Sequence, residues 1–484
     1  MSSSTTTLSV LTLNCWGLKF VSKKRNRRME AIADNLACSN YDIVCLQEVW
    51  VYTDYELIRN RTKKRFSHAK FTHSGVFGGG LVILSRYPIV EFNFHKYRLN
   101  GHPIKLTHGD WYVGKGLTSA VVDHPVSGLI EVFNTHIHAS YEAKKNDEYL
   151  AHRVSQAWEA ANLMKISASR GRNVIAVGDY NSEQDTLAYK LITQHGQMTD
   201  SWQSQNSDTP ISASTNSINQ QEVGLPAIDA NAAINRKGIT CDSPINTWSK
   251  CFFKPATSNR DDGIRIDYVF YRKTSRFWCS RSRVVFTEKI PELGYSYSDH
   301  FGVEATFTLV GRDKNSVIPL SVWEQGPYET LHELDTRSIK NMIELLDRTL
   351  SRSLTTSRIQ MFLFYICLLL VFGLIAIEIL FSVGTISTYF WVEIIINVAI
   401  APIAVYGVIM GLVGFFYGNS EQNVLKQLIS EIRTYSEGQK VLENRESKAS
   451  RGSSVGFEDN DGQRSSAAVG INIELDAKDT PYKL

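Results

Sequence analysis

Between Leu8 and Leu309 the hydrophobic residues come in short runs, each bounded by Gly, Asp, Asn or Pro. Residues 8–13, 43–46, 80–85, 129–136, 174–178, 266–271 and 303–309 are of this kind. Runs so short and so apolar predict strands buried in a packed sheet. Between them, residues 25–37 and 147–167 space their apolar side chains by three and four, which predicts helices. Residues 209–258 are rich in Ser, Asn, Thr and Ala and predict a long loop or insertion across the rim of a sheet. Two sheets with helices outside accommodate this order, although periodicity alone does not fix the topology.

The pattern changes after residue 310. Residues 311–358 read as a linker followed by a juxtamembrane helix, with apolar positions at helical spacing beside charges. Residues 359–383 are almost unbroken apolar character, enough at 1.5 Å per residue to cross a hydrocarbon core. A short break leads to a second such run, 389–417. Glu378 and Glu393 both lie near the connecting turn, where a carboxylate can reach the interface rather than the bilayer centre. The turn has no Lys or Arg, whereas Lys340, Arg348, Arg352 and Arg358 precede the first run and Lys426 and Arg433 follow the second. By the positive-inside rule both flanks face the cytosol and the turn faces the lumen. Residues 420–446 predict a cytosolic amphipathic helix, and 447–484, rich in Ser, Gly, Asn and charge, a disordered tail.

Composition narrows the picture. A net charge of +3 lacks the basic excess of a nucleic-acid binder. The densest basic run, Lys23, Lys24, Arg25, Arg27 and Arg28, reads either as a solvated helix face or as a contact for anionic lipid head groups. Seven scattered cysteines with no CxxC pair argue against a disulfide framework and against a zinc site. The polar Ser/Thr start has no apolar signal stretch, which places the catalytic part on the cytosolic face.

Polar residues gather where the predicted strands end. Asn14 closes the first, in Leu-Asn-Cys-Trp-Gly; Glu48 follows Cys-Leu-Gln; Asn134 and His136 end a third. Asp179 and Asn181 follow Ile-Ala-Val-Gly, Asp267 lies in Arg-Ile-Asp-Tyr-Val, and Asp299 and His300 stand in Ser-Asp-His-Phe-Gly. One strand-ending Asp or Asn is an ordinary turn residue. The ordered set instead suggests one convergent site at a common edge. Hard oxygen donors without cysteine favour Mg2+, and histidine, with an unperturbed pKa of roughly 6.5, suits general-base work near neutral pH.

With these motifs the chain resembles the endonuclease/exonuclease/phosphatase superfamily, and within it the membrane-anchored neutral sphingomyelinases. The narrower likeness lies in Leu13–Lys23, in His108–Lys115 (His-Gly-Asp-Trp-Tyr-Val-Gly-Lys) and in Ala151–Trp158. The resemblance implies an α+β fold, a four-layer α/β-sandwich over residues 8–310, followed by a two-helix transmembrane hairpin. It implies a magnesium-dependent phospholipase C that cleaves inositol phosphosphingolipids or sphingomyelin to ceramide and a phosphorylated head group. Glu48 would ligate magnesium, assisted by Asn14 and Asp299. His300 would be the general base, oriented by Asp267. Asp179 and Asn181 would position phosphate and water, and His136 would serve the phosphate oxygens or the leaving alkoxide. Asp110 and Lys115 would matter for catalytic control. In Gly-Asp-Tyr-Asn, Tyr180 replaces the superfamily's usual Leu or Phe, between the functional residues.

Two motifs mislead. Gly109–Gly116 nearly matches a phosphate-binding loop but ends in Gly where that loop needs Ser or Thr for its metal. Asn60-Arg-Thr62 matches a glycosylation acceptor that a cytosolic domain would never present to the machinery. Alternatives from other classes are a nuclease, a phosphatase of phosphoinositides, a phosphodiesterase of lyso-phosphocholine lipids, and a membrane tether without chemistry. The hairpin and modest charge count against nucleic acid as a partner, and the intact polar set counts against the tether. A sphingolipid substrate and activation by anionic phospholipids are the expected partnerships. The endoplasmic reticulum is the default membrane, with mitochondria the alternative.

Overall fold

The computed structural model describes residues 5–141, 147–206, 230–249, 263–311, 334–384 and 389–452. Its early strands are β1 (Thr5–Asn14), β2 (Ile43–Gln47), β3 (His68–Phe71), β4 (Val82–Ser85), β5 (Ile89–Lys96) and β6 (Gly116–His124). The later ones are β7 (Gly128–His136), β8 (Asn173–Asp179), β9 (Thr199–Asp200), β10 (Asp267–Tyr271), β11 (Phe277–Val285) and β12 (Gly302–Val310). They form two six-stranded sheets, ordered β11-β12-β1-β2-β4-β3 and β5-β6-β7-β8-β10-β9. Every strand expected from the apolar runs is present. The edge strands β5 and β11 were not foreseen because charged and exposed residues break their apolar pattern.

Both faces of the central strands are buried, so they read as continuous apolar runs rather than as alternation. Leu8 and Val10 of β1 join Ile43, Cys45 and Ile83 against Ala120, Val122, Ile130, Val132, Ile175 and Val177 of the second sheet. The alternate side chains Leu11, Leu13, Val44 and Leu46 meet Met29, Ile32 and Leu36 of α1 (Arg25–Cys38) and Ile58 of α2 (Tyr52–Thr62). After the single-turn α3 (Asp110–Val113), helix α4 (Leu150–Ser169) packs on β8 and buries Val154, Ala157, Trp158, Ala161 and Met164. The layers are therefore helix, sheet, sheet, helix.

Strand directions set the position of the site. β1 and β2 run parallel, as do β7 and β8, while β10 opposes β8 and β12 opposes β1. The C-terminal ends of β1, β2, β7 and β8 thus share one rim with the N-terminal ends of β10 and β12. Just beneath that rim Gln47 Nε2 donates to Thr12 Oγ1 at 2.9 Å and to Asn134 Oδ1 at 2.7 Å. Asn134 Nδ2 donates to the carbonyls of Leu46 and Val82, both at 3.0 Å. Asn134 is accordingly a buried tie between the sheets.

The basic run of α1 is not one solvated face. Arg28 is fully buried and donates to the carbonyls of Lys23, Cys15, Tyr297 and Trp16. Arg25 pairs with Asp54, which leaves Lys23, Lys24 and Arg27 exposed. Helix propensity and periodicity do not distinguish a buried arginine from an exposed one.

Beyond the short helices α5 (Leu187–Lys190), α6 (Ser201–Asn206) and α7 (Ala230–Lys237), the chain ends in α8 (Thr336–Ser382), α9 (Phe390–Leu412) and α10 (Gly418–Gly452). Helix α7 and the described residues 238–249 lie inside the expected loop, whose residues 209–229 and 250–258 fall outside the described ones. Asp335 caps α8 by accepting from Ser338 N at 2.7 Å. Helix α8 runs unbroken through residue 359, joining the expected juxtamembrane helix to the first apolar run. Among the described residues two helices, α8 and α9 with its continuation, are long and apolar enough to cross a membrane. They pack α8 against α9 through Gly407, Gly411 and Gly414, where an added Cβ would meet Cys367, Phe364 and Gln360 within 3.0 Å. Such close approach by small residues is how helices associate where lipid removes the hydrophobic driving force. From Thr434 onward the chain forms a separate unit, described only as the continuation of α10 to Gly452. The expected tail lies outside the described residues from 453.

Candidate active site

Two of the expected residues meet on the carboxamide of a third. Asn14 Nδ2 donates to Glu48 Oε1 at 3.1 Å and to Asp179 Oδ2 at 3.0 Å, while Asn14 Oδ1 accepts from Trp16 N at 3.0 Å. Asp179 stands opposite His136 in the β7–β8 register and opposite Asp267 in the β8–β10 register. Glu48 adopts φ +59°, a left-handed turn that is strained for a side chain of its size. Gly17 permits it: a Cβ there would lie 2.2 Å from the Glu48 carbonyl oxygen. The glycine of Leu-Asn-Cys-Trp-Gly is thus explained by close backbone approach.

His300 sits before β12 with Nδ1 2.9 Å from Asp267 Oδ2 and Nε2 3.9 Å from Asp179 Oδ2. Asp267 is buried, and its hydrogen bond assigns the Nδ1 proton, leaving Nε2 as the nitrogen that can exchange a proton with a reacting water. Cys241 is the second group to touch this imidazole. Asn181, at φ +44°, donates through Nδ2 to the Ile137 carbonyl at 3.0 Å and through its backbone N–H to Asp179 Oδ1 at 2.9 Å. Asp299 Oδ1 accepts from Ser298 Oγ at 3.2 Å.

A cationic wall faces these carboxylates. Lys115 Nζ lies 2.6 Å from Asp110 Oδ1, donates to the Ile137 carbonyl at 2.9 Å and stands 3.1 Å from His136 Nε2. Tyr141 donates to Asp110 from the far side. The near phosphate-loop motif is therefore a turn of helix leading into a strand, the reverse of a strand–loop–helix order, and its lysine enters this site.

Electrostatics separate the two walls. Burial and then the Asp267 charge push Asp179 up to about 7. Asp299 is pushed up to about 6 by burial and by Glu48, against the opposing pull of His300 and Arg28. Burial, Lys115 and His300 hold His136 well below the usual histidine range, so it is neutral. Burial opposes protonation of His300 as well, but Cys241 and Asp267 outweigh it and raise the imidazole well above its ordinary value, so it is an imidazolium until a cation among the neighbouring carboxylates lowers it.

Glu48, Asp179, Asp267 and Asp299 place four carboxylates against one imidazole, an excess of negative charge that a divalent cation relieves. Hard oxygen donors on one side of a cleft suit magnesium, and the residues fit such an ion. Ligand atoms of Asp179, Asp267 and His300 lie within 4.8 Å of one another. Asp267 is engaged by its hydrogen bond to His300, whereas Glu48 and Asp299 have no imidazole hydrogen-bonded to them among the described residues. Sequence reasoning missed Arg28 beneath the acidic wall, Cys241 beside His300 and Tyr141 on Asp110. No motif signals them, because each arrives from a distant segment.

An acid–amide–histidine site at the shared rim of two stacked sheets is the arrangement of a metal-dependent phosphoesterase scaffold. Residues 11–300 match the endonuclease/exonuclease/phosphatase family, and the chain belongs to it. Its sequence is 40% identical over 304 residues to the inositol phosphosphingolipids phospholipase C of Schizosaccharomyces pombe, covering 62% of this chain and 68% of that one. The Saccharomyces cerevisiae protein of the same name is 30% identical over 454 residues, 88% of this chain and 89% of that one. Human sphingomyelin phosphodiesterase 2 is 31% identical over 300 residues, 62% and 64% of the two chains. Among solved structures, sphingomyelinase C from Streptomyces griseocarneus aligns with 62% of this chain and 99% of its own, at 17% identity and a TM-score of 0.44.

Proposed function

We propose that this chain is a magnesium-dependent phospholipase C that hydrolyses inositol phosphosphingolipids or sphingomyelin, releasing ceramide and a phosphorylated head group. The observation that carries the reading is the buried His300–Asp267 pair facing the Asn14–Glu48–Asp179 cluster. It occurs in a chain alignable over most of its length with an inositol phosphosphingolipids phospholipase C.

His300 Nε2 accepts a proton from the attacking water while Asp267 holds the Nδ1 proton and stabilises the imidazolium. The water oxygen bonds to phosphorus as the bond from phosphorus to the ceramide oxygen breaks, and that oxygen takes a proton from the Lys115 ammonium, which solvent restores as His300 releases the proton it gained. Lys115 and His136 stand on the opposite wall, where they stabilise the phosphoryl oxygens and the departing alkoxide. Asp110 keeps Lys115 aimed. Asn181 and Asp179 position phosphate and water. Glu48 and Asp299 would hold magnesium, which supplies charge neutralisation at the phosphoryl oxygens. Asn14, with its oxygen engaged by Trp16, serves that ion by orienting Glu48.

The α8–α9 hairpin spans the membrane in this reading, with both flanks on the cytosolic face as the flanking Lys and Arg residues suggest. The enzyme then works on the leaflet that anchors it, the endoplasmic reticulum being the first membrane to examine. Anionic phospholipids are its activators. Hydrolysis in 18O-labelled water by the full chain in mixed vesicles tests the bond broken. Label in the released head-group phosphate and none in ceramide is expected; label in ceramide, or no turnover of either sphingolipid, would contradict the proposal.

A further inference from the structure

His102, His152 and Glu421 bring one ligand atom each within 4.8 Å of one another, beside His138, whose Nε2 lies 3.8 Å from Asp110 Oδ2. They come from three elements: the loop after β5, the first turn of α4, and the first turn of α10 beyond the second apolar helix. His152 is 1% exposed, and neither its Nδ1 nor its Nε2 has a hydrogen-bond partner. An imidazole buried with both nitrogens unsatisfied costs desolvation that packing alone does not return. Its neighbours are rings, His102 at 5.4 Å, His138 at 5.3 Å and Tyr149 at 5.2 Å between centroids. Glu421 is 7% exposed, and its Oε1 stands 3.5 Å from His102 Nδ1.

We propose that His102, His152 and Glu421 form a second metal site, built for a zinc-class divalent cation with water as the fourth ligand. Two imidazole nitrogens and one carboxylate oxygen are the open tetrahedral donor set, and nitrogen donors select such ions over magnesium. Bonds of about 2.0 Å require the ligand atoms to draw roughly an ångström closer, within reach of side-chain rotation. The supporting contacts are in place. Ser353 Oγ donates to Glu421 Oε2 at 2.5 Å and Tyr417 donates to Glu421 Oε1 at 3.0 Å, fixing the carboxylate as a ligand must be fixed. The Tyr417 hydroxyl, 3.0 Å from His102 Nδ1, also reaches the Gly101 carbonyl at 2.6 Å and keeps that partner if the imidazole turns to a cation. A cavity of about 550 Å3 lined by His102, Lys105, Tyr417 and Glu421 gives a path in and room for the water. A cation here clips the helix that follows the hairpin to the catalytic sandwich, independently of which lipid is hydrolysed.

Cobalt(II) is the probe, added to the full chain in detergent micelles with magnesium in large excess. The expected result is one equivalent of cobalt with the visible bands of tetrahedral nitrogen–oxygen coordination, lost on adding zinc, together with a rise in melting temperature. His152→Asn and the nearly isosteric Glu421→Gln each weaken cobalt binding by at least about 100-fold and abolish the rise. Metal-free melting of both variants checks that they fold, with His102→Gln replacing either that does not. Wild-type protein without the bands, or a folded variant that retains them, would overturn the proposal. Neither outcome touches the hydrolytic reading, which is scored on lipid turnover.

Discussion

The catalytic sandwich and the helical hairpin use the same residue types in opposite ways. In the sandwich, Leu, Val and Ile fill the space between sheets and the polar groups crowd one rim. In the hairpin, Phe362, Leu369, Phe372, Ile395 and Val398 point outward and glycines make the contact. The first arrangement excludes water from an apolar interior, and the second leaves an apolar exterior of the kind that suits association with a membrane. Function follows the division. The sandwich can bury charges because hydrogen bonds and ion pairs satisfy them, whereas the hairpin keeps its acidic residues to the end near the turn.

Removing a charge from the buried wall gives the largest contrast with the hairpin. Lys115→Met leaves Asp110 buried without its cation, so turnover should drop by about 100-fold or more, with roughly 3–5 kcal/mol lost from stability. Head-group release and thermal melting report the two effects, and unchanged turnover would remove Lys115 from the site. Glycine substitutions come next. In Gly178→Ala the new Cβ would lie 1.9 Å from the Thr135 carbonyl oxygen, at φ +141°, and the sandwich should lose about 3–5 kcal/mol. In Gly411→Ala the Cβ meets only the Phe364 ring at 2.9 Å, which can swing into lipid, so a loss of about 1 kcal/mol is expected in helix association. Equal losses would erase the distinction drawn between the regions.

A smaller effect follows from buried histidines of the sandwich. Burial lowers His138 to about 4, and burial with Lys165 nearby lowers His195 to about 3. The unfolded chain binds these protons near the ordinary value of about 6.5 and the folded chain does not, so unfolding takes up protons below that pH. Asp179 and Asp299, raised to about 7 and about 6, bind protons on folding and oppose this, so the histidine effect is read as a difference: the melting temperature of His195→Gln should rise relative to wild type as pH drops from about 6.5 toward 4. A difference between the two proteins that does not change with pH would show that this imidazole charges freely in the folded state.

The two regions also differed in how far the sequence revealed them. Length and apolarity were enough for the hairpin runs, but the glycine contacts between Gly411 and Phe364 depend on helix rotation, which composition does not encode. In the sandwich, β1, β2 and β8 were legible because burial on both faces makes unbroken apolar runs. Edge strands such as β5 lacked that signature. The order of Asn14, Glu48, Asp179, Asp267 and His300 exposed the site, since each ends or begins a strand. Asn134 obeyed the same pattern yet ties the sheets together, because a side chain one pleat away points between them. Arg28 and the His102–His152–Glu421 cluster were invisible for a different reason: their partners come from segments far apart in the chain.

The central claim is that His300, oriented by Asp267, and the Glu48 carboxylate act together in magnesium-dependent hydrolysis at the shared rim. The most direct measurement is head-group release from sphingolipid vesicles by full-length wild-type, His300→Ala and Glu48→Ala proteins, with magnesium and after chelation. The account predicts turnover by wild-type protein that vanishes on chelation and returns with magnesium. It predicts losses of about 1,000-fold or more in each variant, with melting temperatures close to wild type. Folded variants that turn over lipid at the wild-type rate, or wild-type turnover indifferent to chelation, would contradict it.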